Sequence, residues 1–139
     1  MRKNFFSALV LISFFAAVAV RAGDRPATPV YTYKVVKVHP HDPESFTQGL
    51  VLDGDILYEG SGRYGQSRLT VRELSSGRVM KTLDLDPACF GEGLTIYKDV
   101  LIQLTWKEGR GFVYDKKSLQ LLRTFTYPGE GWGLTNDGA

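Results

Sequence analysis

The feature that most narrows the choice of fold is an opening that recurs. Gln48-Gly49-Leu50, Glu92-Gly93-Leu94 and Trp132-Gly133-Leu134 are separated by 44 and 40 residues. After the first opening, Val51 and Leu52 lead to a turn at Asp53-Gly54-Asp55 and a return run over residues 56–60. Asp-Gly between two apolar runs is a strong hairpin signal. A third run, residues 68–74, turns at Ser75-Ser76-Gly77 into a fourth, residues 78–85. The second opening repeats this grammar. Thr95-Ile96 is followed by a turn near Tyr97-Lys98-Asp99, a return over residues 100–104, and further runs over 111–114 and 119–127. No long segment carries the 3.6-residue period of a helix, so the reading is all-β with four antiparallel strands per unit.

A four-stranded unit repeating every 40 to 44 residues predicts a β-propeller, with blades set radially around a channel. The Trp-Asp dipeptide of WD40 blades does not occur. Residues 46–139 are expected to form about two blades and the first strand of a third, over 133–136, with a turn at Asn136-Asp137-Gly138. Propellers close with about four to eight blades, so this is the expectation for an incomplete ring. Residues 23–45 are expected to be a lead segment with an outer strand.

Residues 1–22 read as a secretory signal. Arg2 and Lys3 precede an apolar run from Phe5 to Val20, and the small Ala22 suits cleavage before Gly23. An uncleaved anchor is the alternative, although the run is short of the roughly 20 apolar residues of a membrane span. Either way the folded part is expected outside the cytoplasm, periplasmic or secreted, with no membrane association after cleavage. Without residues 1–22, Lys plus Arg falls from 17 to 14 against 15 Asp plus Glu, so the chain's basicity belongs to the signal. No basic stripe remains to follow a phosphate backbone, and nucleic acid is not an expected partner. Cys89 is the single cysteine, so no internal disulfide can form, and a buried packing role is expected. His39 and His41 flank Pro40 with no HExxH helix or cysteine cluster nearby, which points to an exposed loop rather than a metal site. Glu59, Glu73, Lys107, Lys116 and Lys117 read as solubilising positions at strand edges and turns. Neither a metal nor a cofactor is expected.

The candidate chemistry lies at the openings. The first strand of a propeller blade lines the channel, so Gln48, Glu92 and Trp132 should converge near its mouth. Phe46, Phe90 and Glu130-Gly131 stand at similar places, and Gly91 and Gly93 flank Glu92, where backbone can approach a ligand closely. Pattern alone leaves two readings open, a blade-start motif that holds a turn and a functional site. The residue types favour the site. A repeat that only packed would reuse one type, whereas here an amide, an acid and an indole share one slot.

Phe46-Thr47-Gln48-Gly49-Leu50, Phe90-Gly91-Glu92-Gly93-Leu94-Thr95, Gln103-Leu104-Thr105-Trp106 and Gly129-Glu130-Gly131-Trp132-Gly133-Leu134-Thr135 resemble, in order and spacing, the successive signatures of plant/bacterial-type glutaminyl cyclases. The resemblance runs from about Tyr31 to Ala139. It implies a five-bladed β-propeller that converts the N-terminal glutamine of peptides or proteins to pyroglutamate and releases ammonia. It further implies that Glu92 is the catalytic carboxyl, that Gln48 positions substrate, and that Phe46, Phe90, Trp106 and Trp132 form an aromatic pocket. The family also draws an asparagine, a further tryptophan and a lysine from later blades, so this chain is expected to be an N-terminal part. A non-catalytic propeller used for binding, or an inactive remnant, is the alternative.

Overall fold

The computed structural model describes residues 28–138; the expected signal segment lies outside them. The chain divides into two compact units, residues 1–34 and 35–139. Of the first, residues 28–34 are described; they form neither helix nor strand, and Val30, Tyr31 and Tyr33 are exposed.

The second unit holds two antiparallel sheets of four strands. The first runs in the order β1 (Thr47–Asp53), β2 (Ile56–Ser61), β3 (Arg68–Glu73), β4 (Val79–Asp84). The second is β5 (Gly91–Tyr97), β6 (Val100–Thr105), β7 (Arg110–Asp115), β8 (Leu121–Thr126), again in sequence order. All eight strands were legible in the residue pattern. Among the described residues there is no helix, and hence none long and apolar enough to cross a membrane.

Turn chemistry explains the register. Asp53 pairs with Ile56, which leaves the two-residue loop Gly54-Asp55 with Gly54 at φ 59°. A first central residue with positive φ matches the twist of the flanking strands, and glycine takes it without steric cost. The equivalent β5–β6 loop is Lys98-Asp99, with Lys98 at φ 54°, so the second sheet makes the same turn with a residue less suited to it.

The core lies in the middle strands and between the sheets. Leu69 and Leu101 are fully buried, and Tyr58, Val71, Leu85, Leu94, Phe112 and Tyr114 join them in one cluster. Cys89 belongs to that cluster as a buried free thiol, as expected. The last strands, β4 and β8, share the same mostly exposed pattern, as the outer edges of successive blades should.

Successive inner strands meet through glycine. A Cβ on Gly49 would stand 2.5 Å from the Leu94 nitrogen and 3.1 Å from the Glu92 carbonyl oxygen. A Cβ on Gly93 would stand 2.6 Å from the Leu134 nitrogen and 2.2 Å from the Trp132 carbonyl oxygen. The step from first to second sheet is thus repeated from the second sheet to residues 132–134, and the fold is that of a β-propeller.

Two sequence expectations need correction. Residues 133–136 lie where a third inner strand belongs but are not a strand. Gly93 N–H donates to the Trp132 carbonyl at 2.9 Å, yet no partner strand runs beside the segment among the described residues, and a strand exists only as part of a ladder. The outer strand expected within residues 23–45 is likewise not formed in its described part, 28–45. Val35, Val36 and Val38 have strand propensity but are exposed, with no paired edge.

Candidate functional site

The two polar residues that share the opening slot sit in equivalent irregularities. In β1, Thr47 pairs with Ser61 but Gly49 with Gly60, so Gln48 is extra. In β5, Gly91 pairs with Thr105 but Leu94 with Gln103, so the pair Glu92-Gly93 opposes one residue. Such bulges re-aim a side chain out of the regular alternation and concentrate beside functional sites. Gln48 is partly buried, whereas Glu92 retains only 4% exposure.

No side-chain hydrogen bond or ion pair engages the Glu92 carboxyl among the described residues. Burial without compensation raises its pKa above the ordinary carboxylate range. The carboxyl can therefore change protonation nearer neutrality than a surface glutamate, as a group that both takes and returns a proton requires.

The four expected aromatic residues form one continuous row. Ring centroids of Phe46 and Phe90 are 6.3 Å apart, of Phe90 and Trp106 5.6 Å, and of Trp106 and Trp132 5.9 Å, each pair edge-to-face. That geometry suits the ring quadrupoles. Backbone bonds fix the row: Gly62 N–H donates to the Phe46 carbonyl and Trp106 N–H to the Phe90 carbonyl, both at 2.9 Å and 44 residues apart. Glu92 lies two residues from Phe90, and the next residue, Gly93, is bonded to Trp132. The six sequence candidates are thereby gathered at one end of the two sheets. Phe46 and Trp132 remain 46% and 57% exposed, so the row is an open shelf here rather than a closed pocket.

Tyr64, Glu108 and Arg63 escaped the sequence reading, Lys107 was read only as a solubilising position, and Glu130 was placed beside the openings. Tyr64, in the β2–β3 loop, packs its ring 5.4 Å from Phe90 and donates its hydroxyl to Glu108 at 2.8 Å. The other Glu108 oxygen accepts the Phe90 N–H at 3.3 Å, and Trp106 Nε1–H donates to Glu130 at 3.3 Å. Arg63 lies over Phe46 and Lys107 over Trp106. The signal that could have found them is the repeat itself, since Arg63 and Lys107 are 44 residues apart.

Glu59 and His41 also differ from expectation. Glu59 is 1% exposed rather than an edge residue. Its carboxylate accepts from Ser45, from Thr47 at 2.5 Å and from Arg72 at 3.2 Å, and lies 3.0 Å from His41 Nε2. Burial opposes its ionisation, but the Ser45 and Thr47 bonds, the His41 charge and the Arg72 bond outweigh burial and lower its pKa. Lys116, read as a surface position, bonds Asp53 at 2.7 Å and ties the two sheets together. Among the described residues no group of three His, Cys, Asp or Glu side chains could hold a metal ion.

Comparison with known proteins gives a consistent result. The family model described as glutamine cyclotransferase matches residues 6–139. The chain is similar to a glutaminyl-peptide cyclotransferase of Arabidopsis thaliana, 41% identical over 107 residues, which is 76% of this chain and 33% of that protein. It also resembles the crystal structure of Myxococcus xanthus glutaminyl cyclase at 36% identity with a TM-score of 0.65, covering 72% of this chain and 42% of the other. The chain thus spans between a third and a half of the length of these relatives.

Proposed function

The chain belongs to the glutamine cyclotransferase family, and on that footing we propose that it supplies the carboxyl and the aromatic wall of an enzyme that closes the N-terminal glutamine of peptides or proteins to pyroglutamate. The observation that carries this reading is the position of Glu92: buried, unpartnered, re-aimed by a bulge, two residues from Phe90 in the row of four aromatic rings and next to Gly93, whose N–H is bonded to the Trp132 carbonyl.

The reaction is intramolecular. The α-amine nitrogen attacks the γ-carboxamide carbon, a C–N bond closes the five-membered ring, and the bond to the amide nitrogen breaks to release ammonia. An α-amino group titrates near about 7.7–8.0, so a usable neutral fraction exists without a strong base. What the protein must add is a curled substrate and a route for one proton. The aromatic row holds the methylene chain against its own amine and so supplies orientation. Gln48, an amide at the equivalent bulge, positions the substrate's polar end. Glu92 takes the proton from the attacking amine and delivers it to the departing nitrogen, ending in its starting state.

The test is ammonia release from a Gln-initiated peptide by the full-length protein. Glu92→Gln keeps size and polarity but cannot carry the proton, and kcat should fall by about 10²–10⁴. A kcat within about threefold of the parent would make the carboxyl structural, and a parent that binds peptide without turnover would make the propeller a binding module. We also propose export to the periplasm or the exterior, supported by the charge and apolar pattern of residues 1–22. A mature N-terminus at Gly23, read by mass spectrometry, is the expected result.

A further inference from the structure

We propose that Arg63 and Lys107 form a cationic rim that selects Gln-initiated peptides with an acidic side chain at the second or third position. This rests on the cyclase reading of the same site. The two residues are equivalent across the repeat, 44 positions apart. Each directly follows the residue whose N–H anchors an aromatic carbonyl, Gly62 for Phe46 and Trp106 for Phe90. The Arg63 guanidinium carbon lies 5.1 Å from the Phe46 ring centroid, and Lys107 Nζ lies 3.8 Å from that of Trp106. One cation therefore lies over the first ring of the row and the other over the third, and both residues are exposed.

The acids of the same rim are already engaged. Glu108 accepts from Tyr64 and from the Phe90 N–H, and Glu130 accepts from Trp106. Neither cation has a carboxylate within ion-pair distance among the described residues. A ring face attracts a cation without using its N–H donors, which stay free for an incoming carboxylate. With the first residue of the substrate against the aromatic row, the next residues must leave across this rim. An extended peptide advances about 3.3 Å per residue, so a side chain one or two positions on comes level with the cations.

The experiment is a fluorescence titration of the full-length protein, with Trp106 and Trp132 in the row as reporters. The probes are Gln-Glu-Ala-amide and Gln-Lys-Ala-amide, capped so that no terminal carboxylate confuses the comparison. The glutamate peptide should bind about three- to tenfold more tightly at low salt, the range of one or two exposed ion pairs, and the ratio should shrink as salt is raised. The Arg63→Gln, Lys107→Gln double variant should bring the ratio close to one, and Lys107→Glu should reverse it. Equal affinity in the parent, a preference that survives the double variant, or no binding of either peptide would each overturn the proposal. Ammonia release, followed in parallel, separates the two readings. Selective binding without turnover would remove the cyclase reading and leave the rim, whereas turnover without selectivity would do the opposite.

Discussion

Glu59 of β2 and Gln103 of β6 occupy one register position in the two sheets, opposite Leu50 and Leu94 respectively. Both are essentially inaccessible. Glu59 is met by Ser45, Thr47, His41 and Arg72, whereas neither amide atom of Gln103 has a partner among the described residues. The bulges beside them differ in the opposite sense: the first sheet carries the neutral Gln48, and the second carries Glu92 with no partner for its carboxyl. The first sheet thus neutralises its buried charge where it stands, and the second leaves its charge unanswered. A charge that is answered fastens the structure, and one that is not stays responsive to a proton.

The strongest way to break this contrast is to remove the fastener. Glu59→Ala leaves Arg72, itself 8% exposed, buried without its carboxylate, and the expected loss is about 3–5 kcal/mol by chemical denaturation at neutral pH. Because the folded-state pKa of Glu59 lies below its unfolded value, the stability it confers is present above the ordinary carboxylate range and is lost as pH falls through the folded value. The gap between variant and parent should therefore narrow in acid. A loss below about 1 kcal/mol, well short of the range for a broken buried pair, would make the network idle.

Glu92→Gln should act with the opposite sign and a smaller size. Its folded pKa is raised by burial, so ionisation works against folding as pH climbs through the ordinary carboxylate range to the folded value. The substitution should stabilise the protein at mildly alkaline pH, with no gain in acid, where the carboxyl is protonated in both states, as denaturant melts at the two pH values would show. Stabilisation that did not vary with pH would point to packing rather than charge.

The smallest expected effect sharpens the comparison of turns. Lys98 takes the left-handed conformation that Gly54 takes in the first sheet. That conformation costs a side-chain-bearing residue about 1–2 kcal/mol, against about 0.5–1 for the extra unfolded-state freedom of glycine. Lys98→Gly also gives up the ammonium 4.9 Å from the Tyr97 ring, so a net gain of roughly 0.5 kcal/mol is expected in a thermal melt. Gly54→Lys should lose about 1 kcal/mol, and equal responses at the two turns would show that they are not equivalent.

The eight strands were readable because each is a short run bounded by turn residues, information that is local in the chain. The aromatic and glycine motifs were readable for the same reason, as Phe90, Gly91, Glu92 and Gly93 are consecutive. The Glu59 network was not, because its members come from the lead segment, β1 and β3 and meet only after the sheet has paired. Tyr64 and Glu108 were missed likewise, since their bond joins two loops 44 residues apart. Residues 133–136 misled in the other direction, since the sequence shows a strand's propensity and cannot show whether an edge lies beside it.

Gly49 and Gly93 bear on how one blade follows another rather than on any single blade. Each fixes the spacing of one inner strand from the next at direct backbone contact, and so sets an angular pitch. An open stack of blades tolerates a pitch that is slightly wrong, because every blade shifts along with its neighbour. A closed circle has no such freedom: a misfit of one methyl group at one step must be absorbed around the circumference or by widening the axis. In a closed propeller the diameter of the channel would follow from this pitch, and so from the absence of a side chain at each step.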